Sequence, residues 1–240
     1  MGKWSGRLAE ALLRTPQSAD EAEEATQSRP GGPASYRIVG GAFLLAFALL
    51  VFFVVSVQGD GPTKFLDAFE FYYPSYNWLY GELASGRLPL WNPYQLCGIP
   101  TLGTLQPGLL YPPHLLYVLL PTDLSMAASG FLHLMLIGIT TLCFGLRAGL
   151  SPAAAWLAAA LISLRGALPG HLGNPSMLES GAWLALGFLG VLDLVERRPL
   201  RGSALLALST GMSLLAGFPQ FSVYAAYAWG FLLLCLLVGR

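Results

Sequence analysis

Two carboxylates, Asp67 and Glu70, are the first residues of this sequence whose types and spacing could do chemistry. A separation of three positions puts both on one face of a helix. They come after an uncharged apolar stretch at residues 38–57. Paired carboxylates at such a place could supply a general base and a metal ligand or hydrogen-bond partner. The same spacing is typical of two solvated charges on a surface helix, so the surrounding chain has to decide between the two interpretations.

The composition around this pair is that of a membrane protein. The 240-residue chain is 55% hydrophobic and only 11% charged, whereas a soluble domain carries about 25% charged residues. These values exclude an ordinary soluble enzyme and a disordered regulator. The formal net charge is +0, which leaves no electrostatic footprint for a nucleic-acid partner. We therefore expect an all-α fold, a polytopic transmembrane helix bundle.

The apolar segments predict about six spans, because a bilayer core of about 30 Å requires about 20 apolar residues per helix. Residues 38–57 meet this length without a charge. The other five segments cover residues of about 124–146, 152–168, 178–195, 202–217 and 220–238. Residues 1–35 are polar and contain a turn-rich string, which predicts a flexible cytoplasmic tail before a transmembrane domain at residues 36–240.

Basic residues set the expected orientation. With the N-terminus in the cytoplasm, ten Lys and Arg side chains lie inside and three lie outside, as the positive-inside rule requires. The three outer ones are Lys64, Arg87 and Arg165. A long loop at about residues 58–123 is then outside, and its many aromatic residues indicate that it is not disordered.

The long outer loop is predicted to contain two interfacial helices separated by a rigid, packed segment. Aromatic amphipathic helices lie in the membrane interface, and residues 65–83 have apolar positions at helical spacing, although Pro74 should kink or divide this helix. Residues 108–120 form the second candidate, and the prolines at residues 88–94 between them exclude a regular helix. The stripe of the first helix comprises Phe65, Phe69, Tyr72, Tyr76 and Leu79 or Tyr80.

The second outer loop, at about residues 165–177, adds polar candidates. Arg165 and His171 could contact a lipid-linked phosphate, the first as a fixed fork and the second as a hydrogen-bond donor. Glu179 lies at the outer end of the next span, where an unpaired ionised carboxylate costs about 3 kcal/mol. In one interpretation Glu179 simply pairs with Arg165 or His171. In the functional one, this loop faces Asp67 across a shared cavity.

The remaining ionisable residues favour structural interpretations. His114 lies beside two prolines and could cap the interface, and His133 lies within a span and is expected to bond a neighbouring helix. The three histidines lack the spacing of metal ligands. Asp193 and Glu196 are expected to pair locally with the two arginines that come after them.

Several strings in this sequence carry a family resemblance. They are Asp67, Tyr73-Pro74, Gly86-Arg87-Leu88-Pro89-Leu90-Trp91-Asn92-Pro93-Tyr94, Gly98-Ile99-Pro100, Gln106, Tyr111-Pro112, Leu215-Ala216-Gly217-Phe218-Pro219-Gln220 and Tyr224. Together they resemble the N-terminal region of the bacterial YfhO-like membrane proteins, from about residue 38 to the C-terminus. That family in turn resembles the GT-C class of polytopic glycosyltransferases, which use a polyprenyl-phosphate-linked sugar at the outer face of the membrane.

The resemblance implies a site in the first outer loop. GT-C proteins carry an essential acidic residue soon after the first span, and Asp67 matches that position, whereas Glu70 belongs to no family motif. An acidic residue there can deprotonate the acceptor hydroxyl as the phosphate leaves, and cationic groups or a divalent metal can offset the leaving charge. The expected substrate-binding residues are Arg87, Arg165 and His171 for the phosphate, Trp91 and Tyr94 for the sugar, and also Gln106 and Glu179.

Two classes of function remain open. YfhO-like proteins are much longer than this chain, so the resemblance predicts a glycosyltransferase-like module in the bacterial cytoplasmic membrane that a C-terminal continuation or a partner chain would complete. Its predicted partners are a lipid-linked sugar donor and membrane lipids. The alternative is a non-catalytic polytopic membrane protein or assembly subunit. The aromatic residues fit both, because Trp and Tyr are enriched at membrane interfaces regardless of function.

Overall fold

A computed structural model describes residues 40, 47–48, 67–166 and 173–239, with residues 164–166 described by their backbone alone. The expected tail at residues 1–35, most of the expected first span, Lys64, Phe65, His171 and the side chain of Arg165 lie outside the described part of the chain.

The described residues are mostly helical. A π-helical segment at Ala68–Tyr72 leads into the first α-helix, and 3-10 turns lie at Thr101–Thr104 and Pro112–Leu115. Two short antiparallel strands, β1 (Trp91–Asn92) and β2 (Ile99–Pro100), pair with each other. The α-helices are α1 (Tyr73–Ala84), α2 (Leu116–Leu119), α3 (Thr122–Arg147), α4 (Pro152–Gly166), α5 (Pro175–Gly181), α6 (Leu184–Val195), α7 (Pro199–Leu215) and α8 (Pro219–Val238).

Three of these helical segments are long and apolar enough to cross a membrane. They are α3 with 26 residues, the combined segment Pro175–Val195 with 21, and α8 with 20. The helices α4 and α7 have 15 and 17 residues. At a rise of 1.5 Å per residue their lengths are about 22 and 26 Å, which is short of a core of about 30 Å. The helical fold is therefore confirmed and is consistent with a membrane protein, whereas the count of six spans stays a prediction.

The first outer-loop helix forms, but its aromatic face is buried inside the protein. Pro74 follows the π-helical segment and lies in the first turn of α1. The helix runs through this position without a break, with a π turn in place of α turns before the proline. Pro74 therefore does not divide the helix. Tyr76 and Tyr80 pack against Tyr117 of α2, and Tyr72 packs against Tyr76, so the expected stripe is covered by protein. Phe69, also expected in the stripe, is exposed.

The remainder of the outer loop is only partly helical. The second expected helix, at residues 108–120, is reduced to the 3-10 turn Pro112–Leu115 and the short α2, because two adjacent prolines lack the N–H groups of a longer helix. Residues 88–94 are not helical, as expected, and contain β1. Of this segment, Pro89 and Asn92 are buried and the other five residues are exposed, so the expectation of a packed segment is wrong for most of it.

Glycines allow α6 to pack closely against two neighbours. A Cβ added to Gly190 would lie 3.0 Å from the carbonyl oxygen of Gly202 on α7, and one added to Gly202 would lie 2.8 Å from that of Gly190. A Cβ on Gly187 would overlap the ring of Trp229 on α8. Small residues at such crossings let helix backbones approach each other.

An ion cluster joins three helices at the far end of α6. Arg147 of α3 contacts Asp193 and Glu196, each at 2.7 Å, and Arg201 of α7 lies 3.1 Å from Asp193. The expected local pairing of Asp193 and Glu196 with the two arginines that come after them is therefore wrong. Asp193 is fully buried between helices, so its partners come from neighbouring helices and not from the adjacent turn.

The positions of the loops allow a direct test of orientation. We expect Ser85→Cys, made after the three native cysteines are replaced by serine, to react with a membrane-impermeant maleimide in intact cells. Ser85 is exposed next to α1, and the distribution of basic residues places its loop outside. Native Cys97 must be removed because it is exposed in the same loop. Reaction only after lysis would reverse the topology.

Candidate functional site

The first and second outer loops meet at Tyr72. The Tyr72 hydroxyl donates a hydrogen bond to Asn174 Oδ1 at 2.7 Å and lies 2.7 Å from Ser176 Oγ. Asn174 also caps α5, because its side chain accepts a hydrogen bond from the Met177 amide. Burial raises the pKa of Tyr72 to about 12, and the negative charges of Glu179 and Asp67 contribute in the same direction. The hydrogen bonds of the Tyr72 hydroxyl therefore join the two loops.

Glu179 is fully buried and is held by the first outer loop. Its carboxylate accepts hydrogen bonds from His114 Nε2 at 2.7 Å and from Ser129 Oγ at 2.6 Å. Sequence reasoning expected Arg165 or His171 as the partner and missed His114. The 3-10 turn at Pro112–Leu115 places His114 in the interior of the protein. There it supplies the hydrogen-bond partner that the buried Glu179 carboxylate needs.

The other side of His114 is enclosed by tyrosines. His114 Nδ1 lies 2.8 Å from the Tyr80 hydroxyl and 3.2 Å from the Gly108 carbonyl oxygen. A Cβ on Gly108, whose φ is +56°, would lie 2.9 Å from His114 Cε1, so only glycine permits this approach. The ring centroids of four tyrosines lie 5.0 to 5.8 Å from that of His114; these are Tyr76, Tyr80, Tyr111 and Tyr117. The expected interfacial cap is instead the centre of a buried cluster.

A second histidine extends this network towards α6. His133 Nδ1 donates to the carbonyl oxygen of Ser129 at 2.7 Å, and its Nε2 lies 2.5 Å from the Tyr111 hydroxyl. The same hydroxyl accepts a hydrogen bond from Trp183 Nε1 at 2.9 Å. His133 thus has the structural role that the sequence favoured, although its bonds reach its own helix and the outer loop. The network fixes Tyr111, one of the motif residues, against the bundle.

The two candidate catalytic carboxylates remain at the surface. Asp67 and Glu70 are both exposed, at the start of the π-helical segment Ala68–Tyr72. Among the described residues, no Lys, Arg or His side chain forms an ion pair with either one. The residues 67–166 and 173–239 also contain no group of three His, Cys, Asp or Glu side chains arranged to hold a metal ion.

Three of the expected substrate-binding residues lie on the exposed part of the outer loop. Arg87 forms a two-pronged ion pair with Glu82, through Nε at 2.6 Å and Nη2 at 2.8 Å. These hydrogen bonds hold the pKa of Glu82 below its usual value. Trp91 and Tyr94 are exposed. The ring of Tyr94 also meets the ring of Trp78 edge to face. A substrate phosphate at Arg87 would therefore compete with Glu82.

Gln106 faces a cavity that joins two distant motifs. The cavity has a volume of about 280 Å³ and lies between residues 104–106 and the turn at residues 217–220. Gly217 has φ of +96°, and a Cβ there would overlap the Leu105 carbonyl oxygen. Phe218 N donates to Ser180 Oγ at 3.1 Å, which ties the turn to α5. Motif residues more than 100 positions apart in the sequence therefore line the same cavity.

These features define a mostly helical protein with three helices long and apolar enough to cross a membrane, in which the segment before α3 folds onto the helices through buried polar bonds. Comparison of the chain with protein-family models, with curated proteins and with solved structures found no match. The function therefore has to be inferred from the residues and their geometry.

Proposed function

We propose that this chain is a GT-C-like glycosyltransferase module that takes a sugar from a polyprenyl-phosphate donor at the outer face of a bacterial cytoplasmic membrane. The resemblance to YfhO-like proteins and the cytoplasmic N-terminus are parts of this proposal. The observation that carries it is the contact of the two outer loops at Tyr72, five residues after the exposed Asp67. That contact anchors the candidate base to the bundle while its carboxylate stays accessible to an acceptor from water.

The proposed reaction is the displacement of a lipid phosphate by an acceptor hydroxyl. Asp67 takes the hydroxyl proton as the acceptor oxygen bonds to the sugar, and the phosphate leaves with the electron pair of the broken C–O bond. Arg87 pairs with Glu82, which lies 15 residues, or about 22 Å, beyond Asp67 along one continuous helix. Its fork therefore does not reach a phosphate that leaves beside Asp67, and the structure does not bring these two expected site residues together. Trp91 and Tyr94 offer exposed rings to the sugar. A divalent metal would instead offset the leaving charge.

The geometry supports a different role for Glu179. Its carboxylate is already bonded to His114 and Ser129 and is fully buried. We therefore assign it to supporting the outer loop instead of binding substrate. Gln106 lines a cavity, which leaves it available to bind substrate, and a C-terminal continuation or partner chain would complete the module.

Asp67→Asn is expected to reduce sugar transfer by about 10²- to 10⁴-fold, because it keeps the size of the side chain and removes the base. The measurement is transfer from a polyprenyl-phosphate sugar in proteoliposomes that contain the complete assembly. Expression and donor binding should stay close to normal. Glu70→Gln is the matched control, since it removes a neighbouring exposed carboxylate that matches no family motif. Near-normal transfer by the Asp67 variant would contradict the assignment.

A non-catalytic membrane subunit is the second candidate. It is favoured because two residues expected to bind substrate are already paired with other side chains of this protein, Arg87 with Glu82 at the surface and Glu179 with His114 in the interior. In that case Asp67→Asn leaves sugar transfer by the assembly unchanged. Deletion of the whole chain would then reduce assembly, whereas substitution of any single carboxylate would not.

A further inference from the structure

A long uncharged stretch of the described chain lies in the first outer loop. No Asp, Glu, Lys or Arg occurs between Arg87 and Asp123. Near its start, β1 and β2 form a small hairpin, with Trp91 opposite Pro100. Residues 93–98 connect the two strands and form the hairpin tip.

The hairpin is attached to α1 on one side. Gln95 Nε2 donates a hydrogen bond to Ser75 Oγ at 2.9 Å. The rings of Tyr94 and Trp78 meet edge to face with centroids 6.2 Å apart. Trp91 lies over Gly98, where an added Cβ would be 2.7 Å from the indole ring. These contacts fix the hairpin in one position and determine which of its side chains point away from the protein.

The side chains that point away are large and apolar. Leu88, Trp91, Tyr94 and Leu96 are 74%, 58%, 79% and 88% exposed, and Leu90, Leu102 and Leu105 are exposed as well. Removing such side chains from water would gain about 25 cal/mol of free energy for each Å² of apolar surface. Exposed apolar surface of this extent marks a site of contact with a protein or a membrane.

The backbone at the tip adds a second observation. Leu96 and Cys97 have φ values of 48° and 62°. The left-handed conformation costs a non-glycine residue about 1–2 kcal/mol. Leu96 is also the most exposed side chain of the four, so packing within the protein does not offset this cost. Strain of this kind persists where a surface has a function.

We propose that this hairpin surface, made of Leu88, Leu90, Trp91, Tyr94 and Leu96, inserts into the interface of the lipid leaflet on the outer-loop side. Lipid fits better than a protein partner, because the segment offers no charge to select or orient such a partner. Trp and Tyr are the residues enriched at the level of the lipid headgroups. The uncharged run also continues directly to α3, which is itself a membrane-length helix.

The depth of insertion is limited by the backbone. Two-residue strands leave N–H and C=O groups without partners in the hairpin, and the hydrocarbon core does not accept them. The surface therefore lies among the headgroups and the first acyl carbons, where water still reaches the backbone. This contact depends on the membrane alone and holds whether or not the chain transfers sugars.

The test uses native Cys97, which is exposed at the tip. The full chain with Cys143 and Cys235 replaced by serine receives a nitroxide at Cys97 and is placed in phosphatidylcholine nanodiscs. Power saturation then compares collisions with oxygen, which concentrates in lipid, and with a nickel chelate, which stays in water. We expect the ratio of the oxygen contribution to the nickel contribution to be severalfold higher at Cys97 than at the water-exposed control position.

The matched control is a nitroxide at Ser85→Cys in a background with all three native cysteines replaced by serine. Ser85 is exposed but lies outside the uncharged run and close to the Glu82–Arg87 pair, so its label should collide mainly with nickel. A label at Cys97 that behaves like the one at Ser85 would overturn the proposal. A label at Cys97 that neither reagent reaches would also overturn it, because the tip would then be covered by protein or by a second copy of the chain.

Discussion

Glu179→Gln is expected to lower the free energy of unfolding by about 1–3 kcal/mol, the cost of disturbing the hydrogen bonds of a buried carboxylate. The carboxylate bonds His114 and Ser129 at 2.7 and 2.6 Å and is fully buried. Glutamine keeps the size of the side chain but removes the charge opposite His114. Unfolding in mixed micelles with increasing dodecyl sulfate, monitored by tryptophan fluorescence, measures the change.

Two further variants make this result specific. Glu70→Gln removes an exposed carboxylate and should change stability by less than about 0.5 kcal/mol. His114→Gln alone and combined with Glu179→Gln completes a double-mutant cycle, in which residues in contact couple by about 0.5–3 kcal/mol. Additive effects of the two substitutions, or a Glu179 effect as small as that of Glu70, would mean that the pair does not hold the outer loop.

Gly217→Val is expected to cost about 3 kcal/mol, through backbone strain and overpacking together. Gly217 has φ of +96°, which a β-branched residue rarely adopts. Its new Cβ would also overlap the Leu105 carbonyl oxygen and lie 2.9 Å from Gln106 Cα. We expect residues 101–110 to separate from the turn, which amide hydrogen exchange would show as a loss of protection across that loop.

Gly211→Ala is the control for this substitution. A Cβ at Gly211, within α7, has nothing within 4 Å, and alanine favours a helix over glycine by about 1 kcal/mol. This variant should be as stable as the parent or slightly more stable. Unchanged exchange at residues 101–110 in Gly217→Val would show that the turn and the loop are not coupled.

Hydropathy and periodicity predicted the helices because these properties are local. The segments expected from residue 124 onward are helical, with bounds that differ by only a few residues from those expected. The stripe through Tyr72, Tyr76 and Tyr80 was also identified correctly as one face of a helix. Periodicity shows which face is apolar but not what covers it, so the burial of this face against α2 and α3 could not be inferred.

The polar contacts of the site depend on tertiary structure, and sequence reasoning missed them. His114 and Glu179 are 65 residues apart, one in the 3-10 turn Pro112–Leu115 and the other in α5, and nothing in the spacing of either residue indicates the other. Arg147 and Asp193 are 46 residues apart, and proximity in sequence wrongly favoured Arg197 and Arg198. The ionisable side chains of Glu179 and Asp193 indicated that each had a partner. Which residue becomes that partner depends on how the helices pack.

The pairing of His114 with Glu179 also has a consequence for how the chain is made. Translation proceeds at about 5–20 residues per second, so the ribosome adds Glu179 about 3–13 s after His114. The imidazole has therefore left the ribosome before the acidic helix enters the membrane, and the carboxylate meets a partner that is already present. The outer loop, although synthesised early, cannot complete its burial until that later helix arrives. Its final packing is thus a late, post-insertion event.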